Sequence, residues 1–349
     1  MRAAHITQPG APDESIEIVD VETPEPGPNE VRIRVEACAL NHADIFARKG
    51  HPEHEEEFPK RTGLDISGVI DETGSDVSAW SSGDEVVVYP AQCCLECESC
   101  MNGEHTMCLA YGTLAEQVIG ESSDGGFAEY VVVPAWNVER KAESLDFVTA
   151  AAWPATFTTA WRLIVSGGEL RPSESALVLG ASGGVGNAAL QIADRLGATV
   201  YGTVSTEEKA AVASKWAEEV IDYTETDFAE EIAKLTDGRG VDLVVDHVGQ
   251  ETWQQSVHSL ARGGRMVLCG ATTGPNAEVD IRSVYQYFRQ IVGAPLGNRQ
   301  DFRDVGRLVA KGELQPHIDR TLPLDGVAEG HRLIEERENI GKIVITPQE

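Results

Sequence analysis

The chain has 349 residues, 42% of them hydrophobic, with 57 Asp and Glu against 28 Lys and Arg and a formal net charge of −29. That length exceeds what one core organises and implies two domains, and the apolar share is that of a globular protein rather than a disordered acidic one. The charge argues against nucleic acid or an anionic membrane as partner. No apolar run reaches the length of a membrane span. Met1 to Ile6 passes at once into polar, Pro-rich sequence unlike a signal peptide, so a cytoplasmic location is expected. Carboxylates are densest at Glu53 to Glu57 and Glu335 to Glu338 but otherwise scattered. Such a coat suits a cytoplasm of very high salt, as in a halophile, where self-repulsion is screened. A merely acidic mesophilic protein is the alternative.

The first 150 residues or so read as mostly β. Val31 to Ala37 alternates apolar and polar residues, as a half-buried strand does. Gly63 to Thr73, Asp84 to Tyr89 and the run after Gly125 and Gly126 add short strands between Gly-rich turns. Among them lie Cys94, Cys97, Cys100 and Cys108, spaced C-x2-C-x2-C-x7-C. Four thiolates so spaced can surround one tetrahedral Zn²⁺. Two disulfides would require an oxidising compartment that nothing in the sequence indicates. An all-cysteine site is closed, so this metal holds a lobe together and does no chemistry; Cys93 beside it reads as a spare.

From about residue 175 strands and helices alternate, the signature of a parallel sheet covered on both faces. Ala176 to Leu179, Thr199 to Val204, Val241 to Val245 and Met266 to Cys269 read as strands. Val185 to Leu196, Glu207 to Trp216 and Phe228 to Leu235 read as helices. Gly180, Ser182, Gly183, Gly184, Val185 and Gly186 form a strand–turn–helix cradle in which backbone N–H groups approach a pyrophosphate. The second strand ends at Ser205 without the Asp or Glu that holds the ribose of NAD. Ser205, Thr206 and Lys209 suit a 2′-phosphate instead, which points to NADPH. Glu207 and Glu208 complement the helix dipole. Near 295 the pattern loosens, and a last strand, Lys342 to Thr346, is expected to rejoin the first domain.

These pieces, with Asp124 to Pro134, Val245 to Gly249 and the terminal Gly341 and Lys342, resemble the medium-chain dehydrogenase/reductase family, which spans zinc-type alcohol dehydrogenases and quinone oxidoreductases. The resemblance implies an α/β protein: a GroES-like β-rich catalytic domain at 1–155 with a structural-zinc lobe at about 90–112, a doubly wound Rossmann domain at 156–294, and a return to the catalytic domain at 295–349, with a cleft between the domains. It further implies a homodimer or homotetramer built through an edge strand near Gln290 to Ala294. Thr159 matches the family's junction threonine near the nicotinamide, and Gly270 and Gly293 match loops over the cofactor.

Zinc alcohol dehydrogenases of that family carry a second, catalytic zinc. Its ligand positions fall here at Asn41, at Leu64 and Asp65, and at about Ala155, so only Asp65 remains a suitable ligand. The Asn41-x-x-Asp44 form resembles the zinc-independent branch of quinone, enone and enoyl reductases, most of which lack the cysteine lobe. Hydride transfer to an activated alkene or quinone is therefore the expected activity. An alcohol dehydrogenase with atypical zinc ligands and a non-catalytic NADPH-binding protein are the alternatives. Asn41, Asp44 and Asp65 are the candidate catalytic residues: the resemblance assigns Asn41 a hydrogen bond to cofactor ribose or substrate oxygen, while Asp44 and Asp65 are expected to orient backbone and neighbours, with a solvated or structural role the alternative to a catalytic one. His42 and Tyr89 are candidate proton donors.

Overall fold

The computed structural model describes residues 1–50 and 57–348. The acidic run at Glu53 to Glu56 lies outside them. Two compact units are present. The first comprises Met1–Ala155 and Gly306–Glu349, the second Thr156–Val305. The return to the first unit thus falls at 306 rather than 295. Residues just after 294 stay with the second unit, where Gly297 packs so tightly on Thr158 that an added Cβ would lie 2.7 Å from the Thr158 carbonyl oxygen.

In the first unit, the central strand Glu30–Ala39 alternates half-buried and buried positions, turning Val31, Ile33, Val35 and Ala37 inward. It pairs antiparallel with Asp65–Thr73 on one side. On the other it pairs with Tyr130–Pro134 along its first half and with Lys342–Thr346 at its end. The sheet continues through Glu85–Val88 to Val138–Arg140, and Ile318–Pro323 flanks the last strand in parallel. Val31, Ile33 and Val35 join Ile66, Ile70, Phe127, Ile343 and Ile345 in one apolar core, each such side chain contributing about 1.5–3 kcal/mol, while Ala37 packs with Ala39, Ala151, Ala152 and Val344. The expected return of Lys342–Thr346 to this domain is observed. Glu219–Asp222 and Ile318–Pro323 are strands that the periodicity alone does not mark.

The second unit holds, among the described residues, a six-stranded sheet. Its spatial order is Glu219–Asp222, Thr199–Val204, Ser175–Val178, Val241–Asp246, Leu260–Leu268 and Gln290–Gly293, with every pairing parallel. Numbered along the chain this is 3-2-1-4-5-6, the doubly wound order with its reversal between the first and fourth strands. Leu177, Leu179, Ile221, Ile232, Val244 and Met266 share its core. The helix Gly184–Arg195 follows the first strand directly. An added Cβ on Gly186 would lie 2.2 Å from the Gly180 oxygen, so only glycine permits that close turn. Among the described residues, no helix is long and apolar enough to cross a membrane.

Candidate functional site

The central strand ends at Ala39, and the chain turns at Asn41 into the helix His42–Lys49. Sheet register determines what meets it there. Asp65 stands opposite Ala39 on one neighbouring strand. Val344 stands opposite Ala39 on the other, which brings Lys342 alongside Asn41. The Lys342 ammonium donates to the Leu40 carbonyl at 2.7 Å, to Asn41 Oδ1 at 2.7 Å and to Asp65 Oδ2 at 2.9 Å. Asn41 Nδ2 donates to the same Asp65 Oδ2 at 2.9 Å and to the Ala39 carbonyl at 3.2 Å. Asp65 Oδ1 accepts from the Ala155 N–H at 2.7 Å. Asp65 is fully buried and Lys342 is 3% exposed.

This arrangement bounds what each group can do. Both amide hydrogens of Asn41 are engaged, so its remaining capacity is as an acceptor at Oδ1. It can receive a hydrogen bond from a ribose hydroxyl but has none to give a developing oxyanion. Asp65 has both oxygens occupied. At the other two positions where the resemblance puts metal ligands, Leu64 and Ala155 join Val118 in a small apolar cluster. An ammonium, an amide, one carboxylate already accepting three hydrogen bonds and two hydrocarbon side chains do not make the three-ligand set that a catalytic zinc requires.

Asp44 lies one turn into the helix and is 1% exposed. Its Oδ2 accepts from the Asn41 N–H and its Oδ1 from the Gly63 N–H, both at 2.8 Å. Gly63 has φ of 103°, and an added Cβ there would lie 2.8 Å from Cys38 Sγ. Asp44 thus ties together the two loops that carry Asn41 and Leu64. His42 is exposed at the start of the helix. Tyr89 is fully buried, edge-on to Trp136 at 5.8 Å, so it has the surroundings of a core residue.

The cysteine lobe hangs from a neck where Ala91 bridges Val118. The sulfurs of Cys94, Cys97, Cys100 and Cys108 all lie within 4.8 Å of one another. Cys94 and Cys100 are 3.9 Å apart, and Cys97 and Cys108 4.0 Å. The edge of a tetrahedron with Zn–S bonds of about 2.3 Å is roughly 3.8 Å, so the quartet fits one zinc. Backbone N–H groups of Cys97 and Leu109 point at the Cys94 and Cys97 sulfurs. N–H donors from Cys100 and Leu109 bring the Cys97 thiol down to about 6, so it is ready to ligate as thiolate.

In the second unit, the first turn of Gly184–Arg195 is capped by Gly183, with no side chain closing it. Its leading N–H groups, at Gly184, Val185 and Gly186, are the donors that a helix leaves unpaired, and Ser182 beside them is 7% exposed. A Cβ on Gly183 would meet only the Gly180 oxygen at 3.4 Å, leaving room for a phosphate. Ser205 follows the second strand directly. The Lys209 ammonium lies 3.4 Å from Ser205 Oγ, while the Lys209 N–H caps on Thr206 at 3.3 Å. Tyr223, whose N–H donates to the Val204 carbonyl, stands next to them and was not expected. Thr159 Oγ1 donates to the Pro295 carbonyl at 3.3 Å. A Cβ on Gly270 would lie 3.1 Å from the His247 oxygen, whereas Gly293 faces open space.

Lys342 is the member of this group that motif reading underrates. A lysine opening the otherwise apolar run Lys342 to Ile345 is the available signal, because a buried ammonium demands a partner.

Burial raises the Asp44 carboxyl from 3.8 to about 6, opposed by the N–H donors of Asn41 and Gly63 and by Lys342. Between those values the folded chain keeps a proton that the unfolded chain has released. The stability linked to this group is thus complete below about pH 4 and lost as pH rises toward 6. Denaturant titration should show a flatter profile over that window for Asp44→Asn. The gap between variant and wild type should shift by up to about 3 kcal/mol, at about 1.4 kcal/mol per pH unit. Parallel profiles would refute the assignment.

Comparison with known proteins agrees with this fold. The family model for the alcohol dehydrogenase GroES-like domain matches residues 27–143, and that for zinc-binding dehydrogenase matches 184–311. Acryloyl-coenzyme A reductase of Sulfurisphaera tokodaii is 32% identical, over 98% of this chain and 99% of its own. An NAD-dependent alcohol dehydrogenase of Saccharolobus solfataricus is also 32% identical, over 99% and 100%. A solved NAD-dependent alcohol dehydrogenase superposes with a TM-score of 0.93 at 40% identity, covering 99% of this chain and 100% of that one. The chain belongs to the medium-chain dehydrogenase/reductase family.

Proposed function

We propose that this protein is an NADPH-dependent reductase that delivers hydride to an activated alkene, such as an enoyl thioester or enone, or to a quinone. It carries one structural zinc and no metal at its reaction centre. The observation that carries the reading is the group around Asn41. A lysine ammonium sits among Asn41, Asp65 and the Leu40 carbonyl, and Leu64 and Ala155 are apolar where ligands would stand. Oxidation of a simple alcohol leaves an alkoxide to stabilise, which is the work of a Lewis acid. An activated alkene spares that need, because negative charge develops on a conjugated oxygen that hydrogen-bond donors can stabilise. The likeness to an acryloyl-coenzyme A reductase over nearly the whole chain supports the alkene class.

The nicotinamide, when bound, supplies the hydride, and a proton completes the reduction. The chain's own residues bind and orient. The Gly183–Gly186 turn offers backbone donors to a pyrophosphate, Ser205 and Lys209 offer a hydroxyl and an ammonium to a 2′-phosphate, and Asn41 offers an acceptor lone pair. Cys94, Cys97, Cys100 and Cys108 would hold the zinc. The likeness to alcohol dehydrogenases favours a second reading, a zinc enzyme with atypical ligands. Metal analysis separates them. One zinc per chain is expected, with reduction of some member of a quinone, enone and enoyl-thioester panel by NADPH. Two zinc per chain, with activity lost to a chelator and restored by zinc while the fold stays intact, would overturn the proposal. Tight NADPH binding with no turnover across the panel would point to a non-catalytic binding protein.

The cofactor preference is separately testable. NADPH should bind much more tightly than NADH in fluorescence titrations. Lys209→Met should weaken NADPH about tenfold, the loss of one charge-assisted contact, and leave NADH unchanged. Equal dissociation constants for the two nucleotides in the wild type would sink the assignment.

A homodimer through the edge of the second sheet is also proposed. The strand Gln290–Gly293 pairs on one side with Leu260–Leu268. Val279, Ile281, Tyr285, Tyr287, Phe288 and Ile291 around it are all exposed. An apolar patch beside an open strand edge suits a second copy of the chain. Light scattering should give a dimer or a dimer of dimers, and Ile291→Lys should shift it toward monomer. A monomeric wild type would refute this.

A further inference from the structure

The run Val245 to Gly249 has no role in the function proposed above. Its geometry gives it one. The first and fourth strands of the second unit are neighbours, with Ala176 opposite Leu243 and Val178 opposite Val245. Gly180 and His247 therefore emerge side by side just beyond the carboxyl ends of these strands. This is where the strand order reverses, the place where open α/β sheets receive ligands.

His247 is held there by an immobilised backbone. Asp246 is fully buried. Its Oδ1 accepts from the Val248 N–H at 2.9 Å and the Gly249 N–H at 3.0 Å. Its Oδ2 accepts from Ser256 Oγ at 2.7 Å and Thr252 Oγ1 at 3.0 Å. The His247 carbonyl accepts from Thr272 Oγ1 at 2.8 Å. The imidazole packs against the Gly-rich turn, where a Cβ built on Gly180 would lie 2.9 Å from Nε2. Nδ1 is buried with no hydrogen-bond partner, and Nε2 is not buried.

That asymmetry sets the tautomer. A proton on Nδ1 would be a buried N–H without an acceptor, an arrangement that folded proteins avoid more strictly than an unused lone pair. The proton therefore belongs on Nε2, at the accessible side of the ring next to the turn. Burial disfavours the charged imidazolium, against the pull of Asp246. The ring is a neutral, fixed N–H donor beside a phosphate-sized cradle.

We propose that His247 is a cofactor-binding residue whose Nε2–H donates a hydrogen bond to an oxygen of the pyrophosphate–ribose backbone of the bound dinucleotide. This rests on the reading of the second unit as a dinucleotide-binding domain. The test exploits side-chain shape. The amide nitrogen of glutamine reaches about as far as histidine Nε2, and that of asparagine only as far as Nδ1. NADPH titrations followed by fluorescence, on chains of matched far-UV spectrum and melting temperature, should show His247→Leu and His247→Asn each weakening binding about tenfold. His247→Gln should stay within about threefold of the wild type. Wild-type affinity in the leucine variant, or a glutamine variant as weak as leucine, would overturn the proposal. A wild-type chain that binds no dinucleotide would instead overturn the cofactor reading itself, and this proposal with it.

Discussion

A carboxylate with no exposed surface, Asp65, faces an ammonium at 2.9 Å, and the first unit is arranged around keeping that pair satisfied. Charges removed from water are tolerated only with a partner and with every remaining donor and acceptor engaged. Both conditions hold. The three ammonium hydrogens have three oxygens, and the carboxylate has Lys342, Asn41 and the Ala155 N–H. Removing either charge alone would strand the other, at a typical cost of about 3–5 kcal/mol. The requirement extends outward. Asn41 keeps its orientation because Lys342 and Asp65 hold opposite ends of its amide. Asp44 holds the Asn41 backbone, and the Ala155 N–H reaches Asp65 only because the chain crosses there on its way out of the first unit.

The same unit carries the four-cysteine lobe close to this polar group. The lobe closes on itself. Its neck is a bridge between Ala91 and Val118, and its four sulfurs face one another. Val118 also packs with Leu64 and Ala155, so the base of the lobe supplies part of the apolar wall beside Asn41. The cysteine lobe and the polar group around Asn41 thus share a wall. A cysteine spacing identifies the lobe and says nothing about the chemistry next to it.

Much of this was legible in the sequence. Val31 to Ala37 alternates cleanly because one face of that strand is core and the other is not. The cysteine quartet and the Gly-rich turn are local features whose function depends on a few adjacent residues. Ile318–Pro323 escaped because its residues are half-buried or exposed and carry no period. The partners of Asn41 escaped for a different reason. Lys342 is 301 residues away, and its approach follows from register across two sheet pairings. The second unit extends past the end of the strand pattern near 294 because Gly297 packs on Thr158 beyond it.

The long reach between Asn41 and Lys342 has a kinetic side. Bringing two points of a chain together across 301 residues carries the entropic cost of closing that loop, and such nonlocal pairing slows folding. Until the strand Lys342–Thr346 docks, the polypeptide has an unpaired carboxyl and an amide with no fixed orientation at its future centre. The polar group around Asn41 is thus complete only when the sheet is complete, so the order of one end of the chain depends on the docking of the other.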